Sequence, residues 1–127
     1  MIQVRQPISF IATADPKCAH EFYGSVLDLV LMEKSPFALV YSDGGVMLRV
    51  QIVEYHHPAP HTVHGWQVAN IENEMEQLMK RGISFLTFEH LPQTSLGVWE
   101  TPDGNKVAWF QDPSGNLLSL TEFSVLA

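Results

Sequence analysis

The chain carries one pattern of apolar and polar positions twice. From Phe37 the sequence FALVYSDGGVMLRV passes through a strand, an acidic turn and a second strand, and from Val107 the sequence VAWFQDPSGNLLSL follows the same order. A short apolar strand and a helix precede each segment, beginning at Ile8 and at Trp66. Two copies of a repeat of roughly 60 residues are too long and too few for a solenoid, so we expect them to pair and bury one shared face. The pattern predicts an α+β fold of two βαβββ modules.

Cap and turn residues place the boundaries of the predicted elements. Asp15 and Pro16 open the first helix as an acidic N-cap and a proline at the first helical position, and Gly82 follows the end of the second helix. The first copy is predicted to contain a helix over 16–27 and strands over 8–12, 29–33, 37–42 and 46–54. The second copy is predicted to contain a helix over 72–81 and strands over 66–71, 83–89, 96–100, 106–111 and 117–123.

Residues 55–64 interrupt the repeat and are predicted to link a first module, 1–54, to a second module, 65–127. The segment contains two prolines and four of the six histidines. A spacing such as that of His57 and His61 would suit a metal on a helix, but the prolines disfavour a helix here. We therefore interpret the histidines as part of a solvated linker.

Composition points to a small domain with a small-molecule partner. The chain has 127 residues, enough for one core, and a formal net charge of −7 with only seven Lys and Arg. Scattered cations in an acidic chain argue against a nucleic-acid partner. No apolar run reaches the roughly 20 residues of a membrane helix. The N-terminus lacks the basic and apolar segments of a secretory signal, so we expect a cytoplasmic protein.

Three motifs, found in order, resemble the vicinal oxygen chelate superfamily, which includes glyoxalase I, extradiol dioxygenases and bleomycin-resistance proteins. They are the helix end Ala19-His20-Glu21-Phe22-Tyr23-Gly24-Ser25-Val26-Leu27-Asp28-Leu29, the pair Gly65-Trp66, and the turn Asp112-Pro113-Ser114-Gly115-Asn116. The first of these is similar to the superfamily's "FY..vLG" helix end. The resemblance covers essentially the whole chain. It implies curled mixed sheets around a shared cavity, and a homodimer.

The resemblance also implies where a metal would bind, because metal-dependent members take one ligand from the first and one from the last strand of each module. Counting back seven residues from Asp15 and from Asn73, and forward from the two turn aspartates, gives the four positions Ile8, Trp66, Arg49 and Ser119. Ile and Trp offer no lone pair to a metal, Arg is a permanent cation, and a lone Ser is a poor ligand. A slip of one residue gives no better set. We therefore expect no metal or other cofactor, and no metal-dependent glyoxalase or dioxygenase chemistry.

Alternation along the strands predicts which side chains share the cavity face, because side chains two apart point the same way. The expected lining is Ile8, Phe10, Ala12, Met47, Arg49, Gln51, Trp66, Val68, Asn70, Trp109, Leu117, Ser119 and Thr121. Trp99 and Glu100 are placed beside the cavity mouth. Arg49 is interpreted either as a fork for a ligand anion or as the partner of Glu100 or another carboxylate in a structural ion pair. The tryptophans either stack on a ligand or pack in the core.

Two functions follow from this lining. The first is a glyoxalase/bleomycin-resistance-like protein that lacks the usual metal ligands and binds a small aromatic or amphipathic molecule. The second is a metal-independent isomerase or lyase in which Arg49 stabilises an oxyanion and Glu100 or another carboxylate moves a proton. A metal-dependent lyase or dioxygenase requires the strand register given above to be wrong.

Overall fold

A computed structural model describes residue 3 and residues 5–124. In chain order the elements are β1 (Ile8–Thr13), α1 (Pro16–His20), a π-helical segment (Glu21–Val26), β2 (Val30–Lys34), β3 (Ala38–Asp43), β4 (Val46–Ile52), β5 (Thr62–Gln67), α2 (Ile71–Lys80), β6 (Trp99–Glu100), β7 (Lys106–Gln111) and β8 (Leu117–Glu122). None of the helices described is long and apolar enough to cross a membrane.

The eight strands form two four-stranded sheets of the same topology. The first sheet has the order β1-β4-β3-β2 and the second the order β5-β8-β7-β6. In each sheet the first strand runs parallel to the last strand of its module, and the other neighbours are antiparallel. Mixed sheets carrying one helix each confirm the α+β fold and the βαβββ repeat predicted from the sequence.

The chain divides into two compact units. The first contains the described residues up to Pro58 together with Asp112–Asn116, and the second contains Ala59–Gln111 and the described residues from Leu117 onwards. The turn that joins β7 to β8 therefore packs in the first unit, although it comes from the second copy of the repeat.

The helix of the first unit forms where its cap residues predict. The Asp15 side chain accepts a hydrogen bond from the Cys18 N–H at 3.1 Å, and Pro16 stands at the first helical position. The helix covers one face of the first sheet with Ala19, Phe22 and Tyr23, all buried. Ile11, Thr13, Leu39, Tyr41, Leu48 and Val50 form the other side of this core.

The end of this helix needs a residue in the left-handed region. Asp28 has a φ of 62°, and the N–H groups of Leu27 and Leu29 on either side donate to the carbonyls of Phe22 and Tyr23. This is the position at which the superfamily pattern has glycine. Asp tolerates the conformation better than most residues, but it retains the Cβ that makes it unfavourable.

Substitution of Asp28 should therefore change stability in opposite directions depending on the new residue. We expect Asp28→Gly to raise the free energy of unfolding by about 0.5 kcal/mol and Asp28→Val to lower it by about 1–2 kcal/mol. Urea denaturation followed by circular dichroism measures both variants. Because Asp28 is exposed, equal effects of the two substitutions would contradict this account of the helix end.

The second unit is built on α2, which packs Ile71 and Met75 into the core. Its N-cap is Asn70, whose side chain accepts from the Asn73 N–H at 3.1 Å. Glu72 in the first turn forms an ion pair of 3.3 Å with Lys106 on β7. The helix thus begins one residue earlier than predicted, and the Asn70 side chain caps its N-terminus.

Residues 83–89 were expected to form a strand, and this prediction is wrong. The segment keeps one ladder-like bond, from the Leu86 N–H to the Trp109 carbonyl at 2.8 Å. Gln93 replaces a strand partner: its Oε1 accepts from the Phe88 N–H, and its Nε2 donates to the carbonyls of Leu86 and Gly97. A side chain therefore satisfies backbone groups that a fourth long strand would have paired, and β6 is left with two residues.

Strand β5 begins at Thr62, three residues earlier than the predicted second module. Thr62–His64 thus belongs to a sheet and not to the linker. Pro60 is the last proline before the strand, and the residues that follow it are free to donate to the β8 ladder.

Candidate functional site

The face of the first sheet that points away from its helix carries the predicted cation, and we call it the Arg49 face. The strand register pairs Ile8 with Met47, Phe10 with Arg49 and Ala12 with Gln51, and it pairs Val40 of β3 with Arg49. Paired residues project to the same side of a sheet. The side chains predicted to accompany Arg49 in this sheet therefore share its face, and their binding of a ligand stays a prediction.

Arg49 lies between two apolar neighbours on this face. Phe10 is 52% exposed on one side, and Val40 is 3% exposed on the other. Within the first unit, as far as it is described, no carboxylate lies within ion-pairing distance of the half-buried Arg49 guanidinium, which has no hydrogen bond there either. A guanidinium in such a setting presents its N–H donors to an incoming acceptor.

A β-bulge in β2 brings one further residue, Glu33, to the Arg49 face. The register of β2 against β3 shifts between Leu31 and Glu33, so that Leu31 pairs with Tyr41 and Glu33 with Val40. Glu33 therefore projects to the same side as Val40 and Arg49. Plain alternation would have placed it with the core, which is why the sequence did not reveal it.

A pocket of about 240 Å³ opens on the same face, towards the β3–β4 turn. Its walls include the side chains of Met32, Val40, Ser42 and Met47, together with Gln6 and Val46. Val40 is the direct strand partner of Arg49, and Met47 lies two residues before it on β4. The pocket is thus lined by strand neighbours of Arg49, although not by Arg49 itself, and it is mostly apolar.

The second sheet also has a face that points away from its helix, and we call it the Trp109 face. Trp109 pairs with Ser119, and Ser119 pairs with Gly65 of β5. Trp109 stacks on Trp99 with ring centroids 6.2 Å apart and meets Phe88 edge-on at 5.4 Å. Its indole N–H donates to the Thr62 hydroxyl at 3.2 Å. These contacts orient the Trp109 ring within an aromatic cluster on this face. Phe88 belongs to the cluster, although the sequence did not predict it.

Gly65 allows β5 to approach β8 unusually closely at this point. A Cβ on Gly65 would lie 2.6 Å from the Ser119 hydroxyl oxygen and 2.9 Å from the Ser119 carbonyl oxygen. The Ser119 side chain thus lies over the Gly65 backbone, at the floor of the Trp109 face. Ser119 is 9% exposed.

Trp66 does not share this face, and the prediction that it does is wrong. It pairs with Leu120, stacks on Phe110 at 6.1 Å and so packs on the helix side of the second sheet. The error arose from counting back seven residues from Asn73, whereas the helix cap is Asn70.

Counted from Asn70, the position equivalent to Ile8 is Val63. This residue lies in a bulge between Thr62 and His64, and Thr62 belongs to the Trp109 face, whereas His64 contacts Trp66 on the other. The repeat then matches two residues further on, since Gly65 pairs with Ser119 as Phe10 pairs with Arg49.

Glu100 was expected near the cavity mouth, but its side chain belongs to the other face of the second sheet. It pairs with Lys106, which pairs with Glu122 and contacts the start of α2 through Glu72. The adjacent Trp99 points to the Trp109 face instead, because neighbours along a strand alternate. Glu100 is exposed and is not placed to act with Trp109.

The corrected positions do not fit the metal that the resemblance implies. They are Ile8, Arg49, Val63 and Ser119, which offer one hydroxyl and one permanent cation. In the second sheet, the pair Gln67 and Thr121 adds an amide and a hydroxyl. Within the part of the chain that the structure describes, no group of three His, Cys, Asp or Glu side chains could hold a metal ion.

Comparison with solved structures places the fold. The chain is 20% identical to a glyoxalase/bleomycin resistance protein/dioxygenase from Alicyclobacillus acidocaldarius, with a TM-score of 0.72 over 95% of this chain and 92% of that one. It is 17% identical to a member of the same superfamily from Sphaerobacter thermophilus, with a TM-score of 0.72 over 97% and 100%. A lactoylglutathione lyase from Agrobacterium tumefaciens is 20% identical, with a TM-score of 0.68 over 94% of each chain.

No family model and no curated protein sequence matches the chain. The evidence for its fold is therefore the order of its elements, the two matching sheets and the agreement with these structures over nearly their full lengths. This chain has the fold of the glyoxalase/bleomycin resistance protein/dioxygenase superfamily, known as the vicinal oxygen chelate superfamily.

Proposed function

We propose that the protein binds a small aromatic or amphipathic molecule and does so without the metal ion of the superfamily. The observation that carries the proposal is the replacement of all four expected ligand positions by Ile8, Arg49, Val63 and Ser119. Apolar and aromatic side chains surround these positions, and few polar groups interrupt them. Such a lining is typical of small-molecule sites, in which a few polar groups fix the orientation of a mainly apolar ligand.

The two faces offer different contacts to a ligand. The Arg49 face supplies one cation between apolar side chains, which favours an anionic or carbonyl group. The Trp109 face supplies stacked indoles, which favour a planar ring through offset or edge-on contact. Each face, taken by itself, supports an amphipathic ligand over a purely polar one.

The proposal is tested on protein freed of metal by chelator dialysis. Calorimetric titration with Mn, Fe, Co, Ni and Zn is expected to show no stoichiometric binding. The aromatic sulfonate 1-anilinonaphthalene-8-sulfonate is expected to bind the same sample, and its binding is expected to weaken in Arg49→Met. Tight metal binding at one ion per chain, or no binding of the sulfonate, would overturn the proposal.

A second candidate function is a metal-independent isomerase or lyase, and Glu33 is the observation that favours it. Glu33 shares the Arg49 face, two strands away, so the two backbones are roughly 10 Å apart across the sheet. A small substrate between them would place an oxyanion at Arg49 and a transferable proton at the carboxylate. Glu33→Gln would then abolish turnover while leaving substrate binding largely intact, and retained turnover would remove Glu33 from this role.

We also infer that the protein is a cytoplasmic homodimer. Ile8, 45% exposed, and Phe10, 52% exposed, lie on β1, which is an edge strand of the first sheet. Apolar side chains exposed together on one sheet face are typical of an association surface. Sedimentation equilibrium is expected to give twice the chain mass for the native protein and a lower mass for Phe10→Lys, and a native monomer would contradict the inference.

A further inference from the structure

We propose that the ligand is an amphipathic monocarboxylate, whose carboxylate pairs with Arg49 and whose short alkyl or aryl group enters the adjacent pocket lined by Met32 and Met47. This inference rests on the proposed function and narrows it to one class of compound. All of the residues involved lie in the first unit.

Arg49 selects an acceptor with two coplanar oxygens. The guanidinium is planar and always charged, and its parallel N–H donors match a carboxylate in a bidentate pair. Its neighbours Phe10 and Val40 are apolar, so the pair would form with less competition from water than on an open surface. A neutral carbonyl or hydroxyl would receive the same hydrogen bonds without the charge.

The charges on this face favour a single negative charge over two. Arg49 is the only cationic side chain on the Arg49 face in the described strands, and Glu33 contributes a carboxylate to the same face. A dianion such as a phosphate monoester would gain one cation and approach one like charge. A monocarboxylate is neutralised by Arg49 alone.

The pocket sets the size and nature of the remainder of the ligand. Its volume of about 240 Å³ is below the roughly 300–1,000 Å³ of sites for drug-sized molecules. Two of its walls are methionines, Met32 and Met47, whose unbranched and polarisable side chains adapt to the shape of an apolar group. The pocket therefore suits a short alkyl chain or one aromatic ring.

The distance from Arg49 to the pocket limits the length of the ligand between its carboxylate and its apolar group. Met47 is two residues from Arg49 on β4, a separation of roughly 7 Å between Cα atoms. Val40 both pairs with Arg49 and lines the pocket. The carboxylate and the apolar group must consequently be joined by only a few bonds, as they are in 3-phenylpropionate or hexanoate.

Calorimetric titration of the full chain with matched probes tests the inference. The probes are 3-phenylpropionate, its neutral analogue 3-phenylpropanamide, acetate as a carboxylate without an apolar group, and phenyl phosphate as a dianion. We expect 3-phenylpropionate to bind at least tenfold more tightly than each of the other three. Glu33→Gln is expected to strengthen phenyl phosphate binding more than 3-phenylpropionate binding.

Variants then assign the selectivity to Arg49. Arg49→Met is expected to weaken 3-phenylpropionate at least tenfold and to leave the amide within twofold, and Arg49→Lys is expected to lose part of the affinity because the fork is lost. Lys34→Met is the matched control: it removes the same charge from the opposite face of the same sheet, where Lys34 pairs with Leu39, and should change affinity less than twofold. Circular dichroism shows whether each variant is folded. If Arg49→Met does not fold, Arg49→Lys still tests the role of the guanidinium.

The outcomes separate this inference from the proposed function. Equal binding of 3-phenylpropionate and its amide, or equal losses in Arg49→Met and Lys34→Met, would overturn the monocarboxylate assignment while small-molecule binding stands. If neither these probes nor the anilinonaphthalene sulfonate binds at millimolar concentration, both fail. Preference for phenyl phosphate would also overturn the assignment, because it would mean that two charges are recognised.

Discussion

Asp112→Ala is expected to lower the free energy of unfolding by about 4 kcal/mol, an exceptionally large effect for one substitution. Asp112 is 6% exposed. Its Oδ1 accepts from the N–H groups of Ser114 and Asn116, and its Oδ2 accepts from the Tyr23 hydroxyl at 2.6 Å and from the Asn116 side chain at 2.8 Å. Alanine would leave all four donors without this acceptor. Urea denaturation followed by circular dichroism measures the loss.

The Tyr23 hydroxyl is the most costly of these donors to leave unpaired. Tyr23 is 0% exposed, and burial, together with the Asp112 carboxylate, raises the pKa of its hydroxyl, which therefore remains a donor. Part of the penalty for Asp112→Ala should vanish when the hydroxyl is already absent. We expect Asp112→Ala to cost at least 1 kcal/mol less in a Tyr23→Phe background than in the native chain.

Asp103→Ala is the matched control. It lies in the turn between β6 and β7, is exposed, and its carboxylate makes no hydrogen bond to the described residues, so we expect a change within about 0.5 kcal/mol. A loss below about 1 kcal/mol for Asp112→Ala, or additivity with Tyr23→Phe, would show that the buried network does not contribute as its geometry indicates.

The same turn is held to the first unit by further hydrogen bonds. The Asn116 side chain donates to the Ala12 carbonyl at 2.8 Å, and its oxygen is therefore left to accept from His56 Nε2 at 2.8 Å. The hydroxyls of Ser114 and Thr13 are also 2.8 Å apart. The motif around Asp112, visible in the sequence as a turn, is thus a buried polar network. Its partners could not be read from the sequence because they lie about 60 to 100 residues away along the chain.

The sequence was sufficient for β1 and β4 of the first module because the signals there are local. Asp15 caps the helix in the structure as it does in the sequence pattern, so counting back from it gives the correct face for Ile8. Strand β4 has no bulge against either neighbour, so alternation carries Met47, Arg49 and Gln51 to one side. A period of two is reliable only while the ladder is regular.

The predictions that failed did so where the ladder is irregular or where two residues could cap one helix. Asn70 and Asn73 are both good N-caps, and only the structure shows that the Asn70 side chain accepts from the Asn73 N–H. The bulges at Met32 and Val63 each add a residue that alternation does not count. Glu33 was consequently missed, and Trp66 was assigned to the wrong face.

Gly65→Ala is expected to lower the free energy of unfolding by about 2–3 kcal/mol, although alanine is ordinarily the better residue in a strand. Its Cβ would lie 2.6 Å from the Ser119 hydroxyl oxygen and 2.9 Å from the Ser119 carbonyl oxygen. The hydroxyl can rotate away, but the carbonyl belongs to the parallel ladder of β5 and β8. Strands β5 and β8 would therefore have to move apart where Gly65 pairs with Ser119.

The double variant Gly65→Ala/Ser119→Gly separates the two contacts. Removing the hydroxyl relieves the 2.6 Å contact and leaves the 2.9 Å contact with the backbone, so we expect only part of the loss to be recovered relative to Ser119→Gly alone. If the lost stability is fully recovered, the contact with the Ser119 hydroxyl causes the whole effect. If none is recovered, the contact with the Ser119 carbonyl causes it. Gly82→Ala is an unsuitable control because Gly82 has a φ of 93°, which strains alanine without any contact.

The close approach of Gly65 and Ser119 also limits the size of the side chain at position 119. Ser119 is the position in the second module that is equivalent to Arg49 in the first. The Ser119 side chain lies against the β5 backbone at Gly65, whereas the strand partner of Arg49 is Phe10, which has a side chain of its own. We therefore expect Ser119→His to destabilise the protein by about 2 kcal/mol or more and not to create a metal site, since the neighbouring Val63 and Gly65 supply no ligand. Calorimetry with Zn on the folded variant measures this. Stoichiometric binding would show that the second sheet is one substitution from a metal site.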